Sequence, residues 1–206
     1  GSLLRNENLV LIEWLEHYIA EGACHFYLLN NDGPANSTRA RRDFDKLIAP
    51  YVQRGIVTVF ENFENLQTTG PKDRIRGRRW VTIQTTVMTE TVLKQAKLDA
   101  KAEWLLILDL DELMFAPPQD PTISSTRSSA GGSTIATVLQ SMPPNTHQVC
   151  VPWLLFGTSG LKHQPPCMAP SFFRRAAVRS LEILGKCAVR IASAEALAVH
   201  LHAIKK

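Results

Sequence analysis

The regular alternation of strand-type and helix-type segments in the first half of the chain is the feature that most constrains its fold. Short apolar stretches occur at "CHFYLLN" (24–30), "GIVTVF" (55–60) and "WLLILDLDE" (104–112), and the segments between them carry apolar residues at helical spacing. Strands and helices that alternate in this way are typical of a parallel α/β sheet covered by helices. The apolar run 104–108 suits a strand that is buried on both faces.

Local signals mark where the first helices begin and end. Gly22 is placed to end a first helix, and Ser37 or Thr38 can N-cap a second. A third, longer helix is predicted through residues 80–93 because its apolar side chains also recur at helical spacing.

The second half of the chain has a weaker pattern. A loop rich in Pro, Ser and Gly follows residue 116, and it leads to a short helix at 134–142 and a strand at 149–156. Short strands and turns are predicted beyond it. A chain of 206 residues with 45% hydrophobic content can bury one substantial core, so we predict a single domain.

Charge is distributed unevenly along the chain. Through Glu112 there are 14 basic and 16 acidic residues, whereas the remainder has 9 basic and 3 acidic residues. A cation-rich second half suits an anionic ligand. The basic run at 74–79 is too short to indicate a nucleic-acid partner, and no apolar run has the length of a membrane-spanning helix.

The four cysteines give no metal-binding pattern. Cys24, Cys150, Cys167 and Cys187 are widely spaced and form no C-x-x-C pair, which argues against a zinc ribbon or a thioredoxin-type site. We expect buried free thiols, with one disulfide as the alternative. The opening Gly-Ser resembles the remnant of an expression tag, which leaves room for an upstream signal or anchor. The sequence therefore does not decide between the cytoplasm and the Golgi lumen.

Three carboxylates, at Asp109, Asp111 and Glu112, directly follow the apolar run 104–108. On a strand, Asp109 and Asp111 point to the same side, and they repel each other unless a cation meets them. Their oxygens favour a hard ion such as Mg²⁺ or Mn²⁺, which can in turn bind a diphosphate. In parallel α/β sheets ligands bind beyond the carboxyl ends of the strands, where Asn30 also lies.

A phosphatase superfamily with the motif "hhhDxDET", whose first Asp becomes phosphorylated, offers an alternative interpretation. The segment "LILDLDEL" departs from that motif because Leu113 stands in place of Thr or Ser. That fold also requires a later pair of metal-binding Asp residues. After Glu112 the acidic residues are Asp120, Glu182 and Glu195, and no two of them are neighbours. The phosphatase is therefore the weaker interpretation.

The chain resembles glycosyltransferase family 92 and a neighbouring family-2-like group over nearly its whole length. The residues shared in "LLRNENLVLIEWLEHYIAEGACHFYLLNND" are Arg5, Asn6, Glu7, Glu13, Trp14, His17, Gly22, His25, Phe26 and Tyr27. Later matches follow in the order of the family, at Gln84, Trp104, Asp109, Asp111, Glu112, Trp153, Phe156, Gly157, Ser159, Gly160, Lys186, Arg190, Val199 and His200. Two positions depart from the family pattern, because Asn30 replaces an Asp and Leu113 replaces a Phe.

This resemblance implies a GT-A fold: a Rossmann-like, mostly parallel central sheet flanked by helices, with a small C-terminal strand region on the acceptor side. It implies one domain over residues 1–206, with a donor-binding half at about 1–115 and an acceptor-side half at about 116–206. In such a domain Asp111 binds Mn²⁺ or Mg²⁺ directly. Asp109 contacts the ribose or, through water, the metal, and His200 is a further metal ligand.

The donor site that the resemblance implies draws on both halves of the chain. Its residues are Asn6, Glu7, Asn30, Asp32, Asp109, Lys186 and Arg190. For Asn6 and Glu7 the alternative is the start of a helix, with Asn6 as the N-cap and Glu7 in the first turn. Lys186 and Arg190 would neutralise the diphosphate, with a solvated surface as the alternative. Asn30 can still hydrogen-bond a nucleotide base, although an Asp is usual there.

The acceptor side is less defined. Trp153 and the loop residues Gly157, Ser159 and Gly160 resemble an acceptor wall, with a core Trp as the alternative. An inverting transferase needs a general base for the acceptor hydroxyl. The candidates are Asp120, Glu182, Glu195 and His163, and the sequence does not choose among them.

These features predict a metal-dependent glycosyltransferase that moves a sugar from a nucleotide-diphosphate sugar, expected to be a UDP-sugar, to a glycan or glycoprotein with inversion. A non-catalytic nucleotide- or carbohydrate-binding module on a transferase-like fold is a further alternative. The Asn at position 30 favours that alternative, and the intact D-x-D motif opposes it.

Overall fold

A computed structural model of the chain describes residues 1–5, 7–31, 38–61, 85–116, 133–172, 174, 185–197 and 203–204. Within these ranges strands and helices form a mixed α/β structure, which confirms the predicted class. In the same ranges no helix combines the length and the apolar character needed to cross a membrane.

The first half of the chain forms a parallel sheet. Strands β1 (Ser2–Leu4), β2 (Phe26–Asn30) and β3 (Val57–Phe60) lie in the order β1-β2-β3, and both neighbouring pairs are parallel. Helix α1 (Asn8–Ala20) connects β1 to β2, and helix α2 (Arg39–Gln53) connects β2 to β3. The alternation in the sequence therefore predicted β2, β3 and the helices before them correctly.

Two predicted helix boundaries are confirmed. Thr38 is the N-cap of α2, and its hydroxyl accepts a hydrogen bond from the Arg41 backbone N–H at 3.1 Å. Gly22 follows the end of α1 with a φ of 90°, which lies in the left-handed region that favours glycine. A Cβ at Gly22 would also lie only 2.5 Å from the Cβ of Ala136, so the close approach of the chain here requires glycine as well.

The second half of the chain is built around an antiparallel strand. Strands β4 (Trp104–Leu106) and β5 (Gln148–Pro152) both pair antiparallel with β6 (Gly185–Arg190), which lies between them. Two shorter strands, β7 (Ala194–Ala196) and β8 (Ala203–Ile204), form a separate antiparallel pair. Both β4 and β5 are shorter than the sequence predicted, because their pairing ends before the apolar runs do.

Two main-chain hydrogen bonds connect the parallel and antiparallel sheets. The Gly1 nitrogen donates to the Leu106 carbonyl at 2.6 Å, and the Leu108 N–H donates to the Gly1 carbonyl at 3.1 Å. This pattern is that of a parallel pair, so the strands follow one another in the order β3-β2-β1-β4-β6-β5. In that order β6 alone runs against its neighbours.

Helices cover both faces of these strands. Leu28 and Leu108 pack in one core cluster with apolar residues of α1, α2 and α4 (Ile135–Gln140). Leu29 and Ile107 pack in a second cluster with a helical segment that contains a π-helical turn, Met88–Leu93, followed by α3 (Lys94–Asp99). Successive residues thus alternate between two cores, which confirms that the run 104–108 is buried on both faces.

The structure overturns the expectation of buried free thiols. Cys150 and Cys187 lie directly opposite each other on β5 and β6, with their Cα atoms 4.1 Å apart, and they form a disulfide. Cys24 and Cys167 are free but exposed. The expectation failed because it rested on spacing along the chain, which does not show which cysteines the strand pairing brings together.

Candidate active site

The carboxyl ends of β1, β2 and β4 lie at one edge of the sheet because these strands run in the same direction. Asn30 ends β2, and Leu4, its partner in the register, ends β1. Asn30 is only 4% exposed. Glu7 is the N-cap residue of α1, although its carboxylate accepts a hydrogen bond from the Arg5 N–H at 3.1 Å rather than from the helix.

The three carboxylates that follow β4 lie in a turn rather than in a strand. In this acidic turn, residues 109–112, the Glu112 N–H donates to the Asp109 carbonyl at 3.1 Å. The Asp109 N–H donates in return to the Glu112 carboxylate at 2.9 Å. Leu110 is fully buried, whereas the side chain of Asp109 is 43% exposed and Asp111 is exposed. Both Asp side chains are therefore accessible to solvent, although the predicted strand geometry is wrong.

Lys186 is the cation that meets the acidic turn. It lies on β6, is only 2% exposed, and places its Nζ 3.0 Å from the Asp109 carboxylate and 3.1 Å from the Glu112 carboxylate. The same Nζ lies 6.0 Å from the centroid of the Trp153 ring. Two of the three carboxylates, Asp109 and Glu112, therefore share one ammonium, and Asp111 has no part in these ion pairs.

Within the acidic turn, burial is the largest influence on the pKa of Glu112. Burial raises the pKa of Glu112, and the Asp109 N–H and the Lys186 ammonium oppose that shift only in part. An additional cation at the turn would stabilise the ionised form of this carboxyl group. The turn is thus an acidic site with incomplete charge compensation.

We expect Lys186→Met to lower the free energy of unfolding by about 2 kcal/mol. The free energy of unfolding of the variant should then depend more strongly on Mn²⁺ than that of the wild type. The substitution keeps an unbranched side chain beside Trp153 but leaves the Asp109 and Glu112 carboxylates without their ammonium. The loss is smaller than for a fully buried pair because water reaches Asp109. Urea unfolding with and without Mn²⁺ measures both effects.

Lys94→Met is the matched control for this experiment. The Lys94 side chain is 65% exposed and pairs with Glu90 within one helical segment, so its removal should change stability little. Equal losses in the two variants, or no greater Mn²⁺ effect in Lys186→Met than in the wild type, would contradict the assigned role of Lys186.

Helix α1 holds the far end of the acidic turn. The Tyr18 hydroxyl donates to the Glu112 carbonyl at 3.0 Å and accepts from the Met114 N–H at 2.8 Å. The His17 Nε2 lies 2.8 Å from the Met114 carbonyl. Burial raises the pKa of Tyr18, so the phenol keeps the proton that it donates. These contacts fix the backbone on which the carboxylates are carried.

Glu13, on the same helix, positions part of the long loop that follows β5. Its carboxylate accepts hydrogen bonds from the backbone N–H groups of Met168, at 2.6 Å, and Ala169, at 2.8 Å. Met168 is buried in the core cluster of α1. Glu13, which is shared with the family pattern, therefore has a structural role: its carboxylate accepts hydrogen bonds from two consecutive backbone N–H groups.

The predicted acceptor wall contains a tight turn. Ser159 and Gly160 have φ values of 54° and 87°, and the Leu161 N–H donates to the Thr158 carbonyl at 2.9 Å. Two successive residues with positive φ are typical of a type I′ turn, which explains a glycine at the second position. The Ser159 hydroxyl accepts a hydrogen bond from the Arg174 N–H at 3.0 Å and so fixes the turn.

Arg190 lies at the opposite end of β4 from the acidic turn. It pairs in register with Trp104, and its guanidinium carbon lies 4.5 Å from the centroid of that ring. The guanidinium also pairs with Glu103 and donates to the Thr146 carbonyl at 2.8 Å. The structure therefore brings Lys186, but not Arg190, to the carboxylates.

Several candidates cannot be placed at this site. Asn6, Asp32, Gln84, Asp120, Glu182 and His200 lie outside the described residues. His163 and Glu195 are exposed. Tyr18 had no predicted role, and the one available signal was its position beside His17, which matches the family. Its contact with the acidic turn spans 94 residues of sequence, a distance at which local patterns give no information.

The residues present fit the divalent ion that the resemblance implies. Asp109 and Asp111 offer accessible hard oxygen donors, and the acidic turn retains negative charge beside Lys186. In the described part of the chain, no three His, Cys, Asp or Glu side chains are grouped to hold a metal. Mg²⁺ is commonly bound by one or two carboxylates together with substrate phosphates, so two carboxylates are a sufficient protein contribution.

Comparison with known proteins supports the resemblance. The family model described as glycosyltransferase family 92 matches residues 3–202. No curated protein and no solved structure matches the chain. The matched region contains the acidic turn, Lys186 and the loop after β5.

Proposed function

The chain belongs to glycosyltransferase family 92 and is a glycosyltransferase domain, and we propose that it transfers a sugar from a UDP-sugar to a glycan or glycoprotein acceptor. The observation that supports this proposal is the acidic turn at the carboxyl edge of the sheet, with Lys186 beneath it. Ligands of open α/β sheets bind at this edge. The match gives no support to the phosphatase or to the non-catalytic module.

In the proposed mechanism Asp109 and Asp111 would hold Mn²⁺ or Mg²⁺, which would supply positive charge against the donor diphosphate. Lys186 positions Asp109 through the 3.0 Å contact between its Nζ and the Asp109 carboxylate. Because Lys186 is buried, this contact limits how far the carboxylate can rotate. Tyr18 and His17 hold the backbone of the turn in place. Negative charge develops on the leaving diphosphate during transfer. Because the groups of this site are already in place, little reorganisation is needed to stabilise that charge.

The acceptor hydroxyl must lose a proton as the new glycosidic bond forms, and we propose transfer with inversion. The general base stays open among Asp120, Glu182, Glu195 and His163. Of these, Glu195 and His163 lie in the described residues, and His163 is on the exposed loop that also carries the Ser159–Gly160 turn. Trp153, Gly157, Ser159 and Gly160 are proposed to contact the acceptor, and Asn6, Glu7, Asn30 and Asp32 the nucleotide.

The strand order supports a GT-A arrangement for this domain. Parallel strands β3, β2, β1 and β4 form the donor-binding half at about 1–115, and the antiparallel β6 with β5 belongs to the acceptor-side half at about 116–206. Lys186 joins the halves because it is on β6 and contacts the turn after β4. We propose that the two halves act as one domain.

The Cys150–Cys187 disulfide supports an oxidising compartment for the mature protein. Such bonds persist in secretory compartments and are rare in the cytosol. We therefore propose the Golgi lumen, rather than the cytoplasm, as the place where transfer occurs.

We expect a UDP-sugar to stabilise the fold only when Mn²⁺ or Mg²⁺ is present. The acidic turn repels a bare diphosphate, and a metal ion removes that repulsion. A ligand at 100-fold over its Kd adds about 2.7 kcal/mol of stability, which gives a clear shift in melting temperature. The measurement is a thermal-shift panel of nucleotide sugars, each with Mn²⁺ and with EDTA.

Each outcome of that panel has a separate meaning. Equal shifts in EDTA and in Mn²⁺ would overturn the metal-bridged donor. Shifts with guanosine or deoxythymidine sugars but not with uridine sugars would overturn the nucleotide assignment and leave the transferase in place. A shift with Mn²⁺ alone would show that the acidic turn binds metal before the donor arrives.

A further inference from the structure

Helix α1 contacts both sides of the candidate site. At the end of the acidic turn, the Tyr18 hydroxyl bridges the backbone of Glu112 and Met114. On the other side, the Glu13 carboxylate accepts hydrogen bonds from two backbone N–H groups of the long loop that follows β5. Tyr18 and Glu13 are five residues apart, which corresponds to about 7.5 Å along a helix axis. One helix therefore holds a segment of the proposed donor side and a segment of the proposed acceptor side in a fixed relation.

The contact with Glu13 fixes a turn at residues 168–172, which we name the anchored turn. Each carboxylate oxygen accepts one hydrogen bond, from the Met168 N–H at 2.6 Å and from the Ala169 N–H at 2.8 Å. The Phe172 N–H donates to the Met168 carbonyl at 3.0 Å and closes the turn. The Met168 side chain is buried in the core cluster that contains α1. Two charge-assisted hydrogen bonds and one buried side chain thus hold the anchored turn on α1.

The anchored turn is connected to the predicted acceptor wall. Arg174 follows the anchored turn two residues later in the sequence. The Gly157 N–H donates to the Arg174 carbonyl at 2.9 Å, and the Ser159 hydroxyl accepts from the Arg174 N–H at 3.0 Å. The anchored turn and Arg174 therefore link Glu13 to two of the residues that are proposed to contact the acceptor.

We propose that Glu13 is a positioning residue for the acceptor substrate. Through the anchored turn it fixes where Gly157 and Ser159 lie relative to the acidic turn, and so it places the acceptor hydroxyl relative to the donor. A displacement of one reactant by about 1 Å can slow a reaction about a hundredfold, so the rigidity of this support affects the rate of transfer. The inference rests on the acceptor role that is proposed above for these loop residues.

Glu13→Gln weakens this support without changing the size of the side chain. The Gln amide keeps one oxygen that accepts a hydrogen bond, but its NH₂ group faces a backbone N–H in place of the second acceptor. The charge that strengthens both hydrogen bonds is lost as well. The Met168 side chain stays in its core cluster, so we expect the domain to remain folded while the anchored turn becomes less rigid.

The test measures two reactions with the same UDP-sugar and Mn²⁺. One is transfer to a glycan, and the acceptor probe is the glycan of an immobilised array that the wild type labels most strongly. The other is hydrolysis of the UDP-sugar by water, which needs the donor site but no acceptor. We expect Glu13→Gln to lower kcat/KM for the acceptor at least about tenfold, and to leave hydrolysis and the donor KM within about twofold of the wild type. A residue that only stabilises the fold would affect both reactions together.

Ala169→Pro tests the same contact from the side of the loop. The Ser171 N–H donates to the Met168 carbonyl at 3.0 Å, so Ala169 is the second residue of a β-turn, a position that accommodates proline. The substitution removes one N–H donor and leaves the Glu13 carboxylate in place. We expect the same selective loss of transfer. The double variant Glu13→Gln/Ala169→Pro should lose no more than Glu13→Gln alone, because both changes act on one contact.

Glu16→Gln is the matched control on the same helix. Glu16 is exposed, and its carboxylate accepts a hydrogen bond from the Tyr51 hydroxyl on α2. This variant should match the wild type in both reactions. Amide hydrogen exchange at Met168 and Ala169 should be faster than in the wild type for Glu13→Gln and unchanged for Glu16→Gln.

The outcomes separate this inference from the proposed function. Unchanged transfer in Glu13→Gln, or an equal loss of transfer and hydrolysis, would overturn the positioning role and leave the proposed function intact. Unchanged amide exchange at Met168 and Ala169 would overturn it in the same way. A wild type that labels no glycan would overturn the proposed function, and this inference with it.

Discussion

Asp111→Asn is expected to reduce sugar transfer at least about a hundredfold while leaving the fold intact. Asp111 is exposed, so the substitution opens no cavity. It removes one of three neighbouring negative charges, which relieves repulsion and should leave the melting temperature unchanged or slightly higher without metal. The rate falls because the proposed metal contact acts on the diphosphate, where charge develops during transfer. Transfer or donor hydrolysis across a Mn²⁺ titration, together with a melting curve, measures both effects.

Asp43→Asn controls for the loss of a surface carboxylate. The Asp43 side chain is 49% exposed on α2, and among the described residues its ion pair is with the exposed Arg39, so this variant should retain activity. Full activity of Asp111→Asn would remove the acidic turn from the mechanism. Loss of activity together with unfolding would instead mean that the Asp111 carboxylate is structural.

The fold of the first half could be predicted because its determinants are local. Thr38 caps α2 through a hydrogen bond to a residue three positions ahead, and Gly22 follows α1 with a positive φ. Both features depend on the identity of the residue itself. The periodicity of strands and helices then gave the order of elements, and the helix between each pair of consecutive strands made those strands parallel neighbours.

The second half could not be predicted in the same way because its determinants are long-range. The Lys186–Asp109 contact joins residues 77 positions apart, and it exists because β6 pairs antiparallel with β4. Lys186 was predicted to meet a diphosphate, which stays a prediction, and its ion pairs with Asp109 and Glu112 were not predicted. The extent of β4 was overestimated because an apolar run shows burial, whereas strand length depends on the partner strand.

The disulfide illustrates the same limit and leads to a large expected effect. Cys150 and Cys187 are separated by 37 residues and meet only when β5 pairs with β6. Because closing a loop of this length restricts the unfolded chain, we expect Cys150→Ala/Cys187→Ala to lower the free energy of unfolding by about 4 kcal/mol. Urea unfolding of the variant and of the oxidised wild type measures the difference.

Cys24→Ser/Cys167→Ser is the matched control for that loss, because both thiols are free and exposed, and its stability should equal that of the wild type. Lys186 immediately precedes Cys187 on β6, so loosening this strand should also weaken the ion pairs of Lys186 with Asp109 and Glu112. We therefore expect the disulfide variant to lose donor-dependent stabilisation as well as global stability. Two results together would show that the disulfide is absent: alkylation of all four cysteines without reductant, and unfolding of the double alanine variant at the wild-type urea concentration. The argument for an oxidising compartment would then fail as well.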